Sequence, residues 1–142
     1  MRKFIIFMVL LLVTPLFQGV AVSEKGNDSY IFITQPEGGI YLNGRKIIPA
    51  YKPSWTVMIG YHSIDISTVS SSNILTAYFT LYNMFTRDTV DSLLDTTPSN
   101  GFSCNFSNVP RGSYIVMVIA LALDPNEPVA SDWRAPIIFI PL

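Results

Sequence analysis

The chain has 142 residues, 49% of them hydrophobic and 13% charged, with a net charge of −1. That is enough for one domain with a substantial core, and the absence of a positive field argues against non-specific nucleic-acid binding. One histidine and one cysteine exclude an intramolecular disulfide and leave few groups for nucleophilic or metal chemistry.

The chain opens with Met1-Arg2-Lys3, an apolar stretch from Phe4 to Val13, and a small-residue site at Ala21-Val22-Ser23. A positive start, an apolar stretch and a cleavage site are the parts of a signal peptide. The expectation is a leader helix over residues 1–23, cut after Ala21 or Ser23. The rival is an uncleaved membrane anchor: the apolar stretch extends to about 19 residues, near the lower limit for spanning a bilayer. Pro15, Gln18 and Gly19 interrupt its second half. No cysteine lies near the cleavage site, which argues against a lipoprotein. Removing Arg2 and Lys3 with the leader leaves seven basic and ten acidic side chains, a net charge of −3. The destination implied is secretion or the cell surface, with residues 24–29 as a polar tether and residues 30–142 as one domain.

From Tyr30 the pattern is that of short strands. Tyr30 to Thr34 stops at Gln35-Pro36-Glu37-Gly38-Gly39, and Ile40-Tyr41-Leu42 then meets Asn43-Gly44. That dipeptide supports the two positive φ angles of a tight hairpin turn, so Arg45 to Ile48 is expected as the returning arm. Trp55 to Ile59 is a further apolar segment. Ser63 to Ser67 alternates with period two, the mark of a strand with one wet face. Ile74 to Met84 carries Ala77, Phe79 and Leu81 on one side and Tyr78, Thr80 and Tyr82 on the other. Thr86 to Asp95 is polar, either an edge strand or an irregular crossover. Phe102, Cys104 and Phe106 alternate with polar residues, a turn follows at Pro110 to Ser113, and a mostly apolar run extends from Ser113 to Leu123. Asp124 to Pro128 makes another turn, and Ile137 to Ile140 closes the chain. The ten prolines fall mostly at element boundaries. About seven or eight strands with regular turn signals favour an antiparallel two-sheet sandwich.

The segment from Gly39 to Pro49 resembles the opening hairpin of immunoglobulin-like domains found on prokaryotic, especially archaeal, secreted and cell-surface proteins. Their further marks map to Ala77-Tyr78-Phe79, to Asp95-Thr96-Thr97-Pro98, and to Gly112-Ser113-Tyr114 running to Asp124; the Pro98 loop is one residue shorter than the pattern. The resemblance covers roughly residues 30–142 and implies an immunoglobulin-like sandwich acting as a spacer or adhesive module.

Little in the sequence supports catalysis or a cofactor, and none is expected. His62 and Ser63 are neighbours on an extended segment, so their side chains point apart. Asp88, Asp91 and Asp95 have neither the alternating spacing nor the glycine of a calcium loop. Cys104 shares the face of Phe102 and Phe106, where a thiol is expected to be buried and inert. Asn27-Asp28-Ser29 and Asn105-Phe106-Ser107 are glycosylation sequons. Tyr114, just after a turn, is expected to hydrogen-bond back to the loop and pin the corner, as in related sandwiches.

The long strand gives the clearest functional expectation. If Tyr114, Val116, Val118 and Ala120 face the core, then Ile115, Met117, Ile119 and Leu121 face outward, and Tyr78 and Tyr82 share an outer face beside them. Leaving such side chains wet forgoes about 1.5–3 kcal/mol each relative to full burial. Either the N-terminal hairpin or Trp55 to Ile59 folds over them, or they meet a partner: another envelope protein or a second copy. A glycan is the alternative partner, held by Tyr51, Trp55, Tyr61 and Trp133 with Asp132 and Arg134. A membrane enters only if the leader stays uncleaved.

Overall fold

The computed structural model describes residues 28–50, 55–99 and 101–142. The leader, Asn27 and Tyr51 lie outside the described residues. The described residues form ten strands: β1 (Ile31–Gln35), β2 (Gly39–Leu42), β3 (Arg45–Pro49), β4 (Thr56–Ile59), β5 (Ile64–Ser70), β6 (Ile74–Asn83), β7 (Thr89–Asp95), β8 (Ser103–Phe106), β9 (Gly112–Ala122) and β10 (Ala130–Ile140). This exceeds the seven or eight expected. The polar crossover is a true edge strand, β7, and the closing strand starts at Ala130 rather than near Ile137.

The strands make two sheets, β1-β5-β8 and β3-β2-β4-β10-β9-β6-β7. Pairing is antiparallel except at β4, which runs parallel to both β10 and β2. β4 departs from the antiparallel pattern because the β2–β3 hairpin brings the chain back so that β4 starts from the same end as β2. The hairpin turn has φ of 48° at Asn43 and 80° at Gly44, the two positive values that the dipeptide favours. Gly39 has no substitute: its φ is +148°, and a Cβ would lie 2.4 Å from the Ile48 carbonyl oxygen.

Period-two alternation puts Ile31, Ile33, Ile64, Ile66 and Phe106 of the small sheet against Phe79, Leu81, Val116, Val118 and Phe139 of the large one, all buried. Strands β8 and β9, consecutive in sequence, belong to different sheets, and the chain crosses between them at Pro110 to Gly112. There the buried Tyr114 hydroxyl donates to the Pro110 carbonyl at 2.7 Å, and its ring meets Phe139 edge-on at 5.7 Å. The crossing from β7 to β8 is tied by Asp95, which accepts from the amides of Ser103 and Thr97, each at 2.9 Å. Burial pushes the Asp95 carboxyl up, but these bonds and that of the Thr97 hydroxyl outweigh it and hold it below its ordinary value.

Strand β1 is an edge strand, and Ile33 turns its amide and carbonyl away from β5. Two side chains of β10 meet them. Asp132 Oδ2 accepts from the Ile33 amide at 2.7 Å, and Arg134 donates to the Ile33 carbonyl. Two side chains of one sheet thus occupy the place of a missing strand on the other, which blunts an edge otherwise open to foreign pairing.

With β1, β5 and β8 as strands A, B and E, and β6, β7, β9 and β10 as C, C′, F and G, the partition is that of an immunoglobulin-like sandwich. To it are added β4 and the β2–β3 hairpin, both on the β10 side of the larger sheet.

Candidate interaction face

The face of the seven-stranded sheet turned away from the core is built by register. Tyr78 lies between Ile119 and Leu94, Thr80 pairs with Met117, and Tyr82 pairs with Ile115. Met117 in turn pairs with Trp133 on β10. Further along, Ile138 pairs with Val57, Val57 with Ile40, and Ile40 with Ile48. A bulge between Arg134 and Ile137 shifts the parity of β10, so that Trp133 and Ile138 share this face.

Ile115, Met117 and Ile119 are half-buried by their neighbours in the sheet. Around them Leu121 is 55% exposed, Tyr78 43%, Trp133 47% and Leu94 63%. One explanation of its apolar character has either the hairpin or the segment of β4 folding over this surface. Instead they extend the sheet sideways, because β4 takes its hydrogen bonds from β10 and β2 from β4. They therefore enlarge the apolar face rather than cover it.

The outward ladder positions of β2, β4, β10, β9, β6 and β7 hold Ile, Leu, Val, Met, Trp, Tyr, Ser and Thr, and no charged side chain. Arg45, opposite Leu42 on the margin strand β3, is the first charge. Charges inside the sandwich's own strands are turned the other way: Asp132 pairs with Val118 and Arg134 with Val116, both on the core side.

That orientation separates the aromatic from the charged members of the sugar platform among the described residues. Trp133 faces out, while Asp132 and Arg134 face in and are engaged by the Ile33 backbone. Trp55 is half-buried and Tyr61 exposed beyond the end of β4. The remaining candidates are dispersed. His62 is exposed before β5, and its carbonyl accepts from the Val109 amide at 2.7 Å. Asp65 is held by Asn105, whose Nδ2 donates to it at 2.7 Å, and both are exposed on the outer side of the small sheet. No group of three or more His, Cys, Asp or Glu side chains among the described residues has the geometry of a metal site. Cys104 is half-buried; burial first, then the charges of Asp95, Asp91 and Asp65, push its thiol up to about 12.

Sequence reasoning placed Trp133 in the sugar platform and passed over Leu94, Val57 and Ile40 as members of this face. Their own alternation could not have found them, since membership follows from strand order and from the bulge in β10.

Strand order and the corner tyrosine define the class: an immunoglobulin-like β-sandwich with one sheet widened to seven strands. No protein-family model matches the sequence, and no curated protein matches it. Among solved structures, the chain is similar to the fibronectin(III)-like modules of Clostridium thermocellum CbhA, at 16% identity and a TM-score of 0.46, over 79% of this chain and 97% of that one.

Proposed function

We propose that this chain is an exported, non-catalytic immunoglobulin-like module that works by docking protein on the outer face of its seven-stranded sheet. The observation that carries this is the charge-free apolar surface running from Ile40 through Ile138 and Met117 to Tyr78. Monomeric proteins rarely expose contiguous apolar patches beyond a few hundred Å² unless something binds there. Tyr, Trp and Met are also the residue types enriched at the centres of protein interfaces. The leader-like start and the resemblance of the hairpin to prokaryotic surface domains support a secreted or cell-surface location. The inward orientation of Asp132 and Arg134 speaks against the carbohydrate-binding alternative.

The test is site-specific photo-crosslinking in producing cells, with a benzophenone amino acid replacing Tyr78 in the full chain and, as control, Phe32 on the outer side of the small sheet. A protein adduct from position 78 and none from position 32 is expected. No adduct from position 78, or equal adducts from both, overturns the proposal.

A further inference from the structure

We infer that the occupant of this face is a second copy of the same chain, packed sheet against sheet about a two-fold axis near Met117 and Trp133. The inference rests on the docking role proposed above and names its partner.

Area is the first argument. Seven strands spaced ~4.8 Å apart make a face about 29 Å wide, and a mean depth of about 22 Å gives roughly 640 Å² per copy. A pair would therefore bury roughly 1,300 Å², within the range of about 1,200–2,000 Å² for stable interfaces. Two such faces can pack in the aligned manner of sandwich sheets, with their strands within about 30° of each other.

Charge is the second argument. A two-fold contact sets each patch against itself, so any charge near its centre would meet its own image. This face has no charge on the six strands from β2 to β7 across the sheet, although the domain carries acidic and basic groups elsewhere. A partner chosen by charge complementarity would find nothing to pair with, whereas an identical neutral apolar surface is complementary as it stands. The layout also matches interface anatomy. Met117 and Trp133 lie centrally on β9 and β10, while Ser92 on β7 and Arg45 on β3 lie at the margins.

The experiment uses the mature protein exported from the full-length chain, with sedimentation velocity from low to high micromolar concentration. A two-chain mass that falls toward one chain on dilution is expected. Met117→Lys and Tyr78→Lys should each be monomeric at the highest concentration, while Val69→Lys on the outer side of the small sheet should remain a dimer. Tyr78 is exposed, so Tyr78→Lys decides the matter if Met117→Lys fails to fold. A one-chain mass for the unaltered protein throughout, or dimers that persist in Tyr78→Lys, overturns the inference. The crosslinking experiment separates the two failures. An adduct from position 78 to a different polypeptide overturns the second copy and leaves the docking role standing; no adduct at all overturns both.

Discussion

Replacing Asp132 by alanine removes the acceptor of the Ile33 amide on the unpaired edge of β1. Ile33 is 1% exposed, so water cannot take the place of the carboxylate without opening the edge. A hydrogen bond to a charged partner contributes about 1.5–3 kcal/mol, and a buried donor left without an acceptor costs a similar amount. The expected loss is therefore about 2 kcal/mol, a sizeable share of the ~5–15 kcal/mol that holds a domain of this size together. At about 4 °C per kcal/mol for a domain near this length, the melting temperature should fall by about 8 °C. Asp132→Asn keeps an acceptor oxygen and loses the charge, so it should retain roughly half of that stability. Urea denaturation of the three proteins measures the loss. Hydrogen exchange locates it: the Ile33 amide should exchange much faster in Asp132→Ala, while the Thr68 amide, bonded to the Phe102 carbonyl at 2.9 Å, should stay protected. Unchanged stability together with a still-protected Ile33 amide would refute the idea that side chains of one sheet complete the edge of the other.

Two further expectations concern Tyr114 and Cys104. Tyr114→Phe deletes the hydroxyl that donates to Pro110 while keeping the ring against Phe139, so it should cost about 1 kcal/mol in urea denaturation with the fold intact. The Cys104 thiol, pushed up to about 12 from the ordinary 9.0, should react with a disulfide reagent at pH 8 at least a hundredfold more slowly in the folded chain than in urea, because the thiolate is the attacking form. The same shift has a sign in stability. Between about 9 and about 12 the folded thiol keeps a proton that the unfolded one has lost, so stability should fall as pH rises through that window and be unaffected by this group below it.

What was legible in the sequence was whatever a strand declares about itself. The turn at Asn43-Gly44 and the two faces of β6 follow from local chemistry, because positive φ at the turn and period-two burial need no knowledge of neighbours. The core positions Tyr114, Val116, Val118 and Ala120 are buried as the alternation implies. Strand β10 was half-missed for a reason that can be named. Asp132-Trp133-Arg134 alternates charge with an aromatic, which reads as surface, and Pro136 reads as a boundary. The strand continues because Asp132 and Arg134 find hydrogen-bond partners on β1 and because the bulge between Arg134 and Ile137 absorbs the proline.

The candidate face was illegible for a deeper reason. The outward positions of β9 say only that Ile115, Met117, Ile119 and Leu121 leave the core; how large a surface they join depends on which strands lie beside them. Two arrangements were open for the hairpin and β4, above the sheet or alongside it, and both bury the same apolar residues to some degree. Alongside was selected by backbone hydrogen bonding. A β4 lying across the outer face would leave the free edge of β10 and its own amides without partners, a cost of about 1–3 kcal/mol for each buried group. Pairing β4 with β10, and then β2 with β4, satisfies both ladders. The price is that the apolar side chains stay on the outside of the enlarged sheet. Backbone satisfaction along the ladders and apolar exposure on the outer face are thus two consequences of a single choice of strand order.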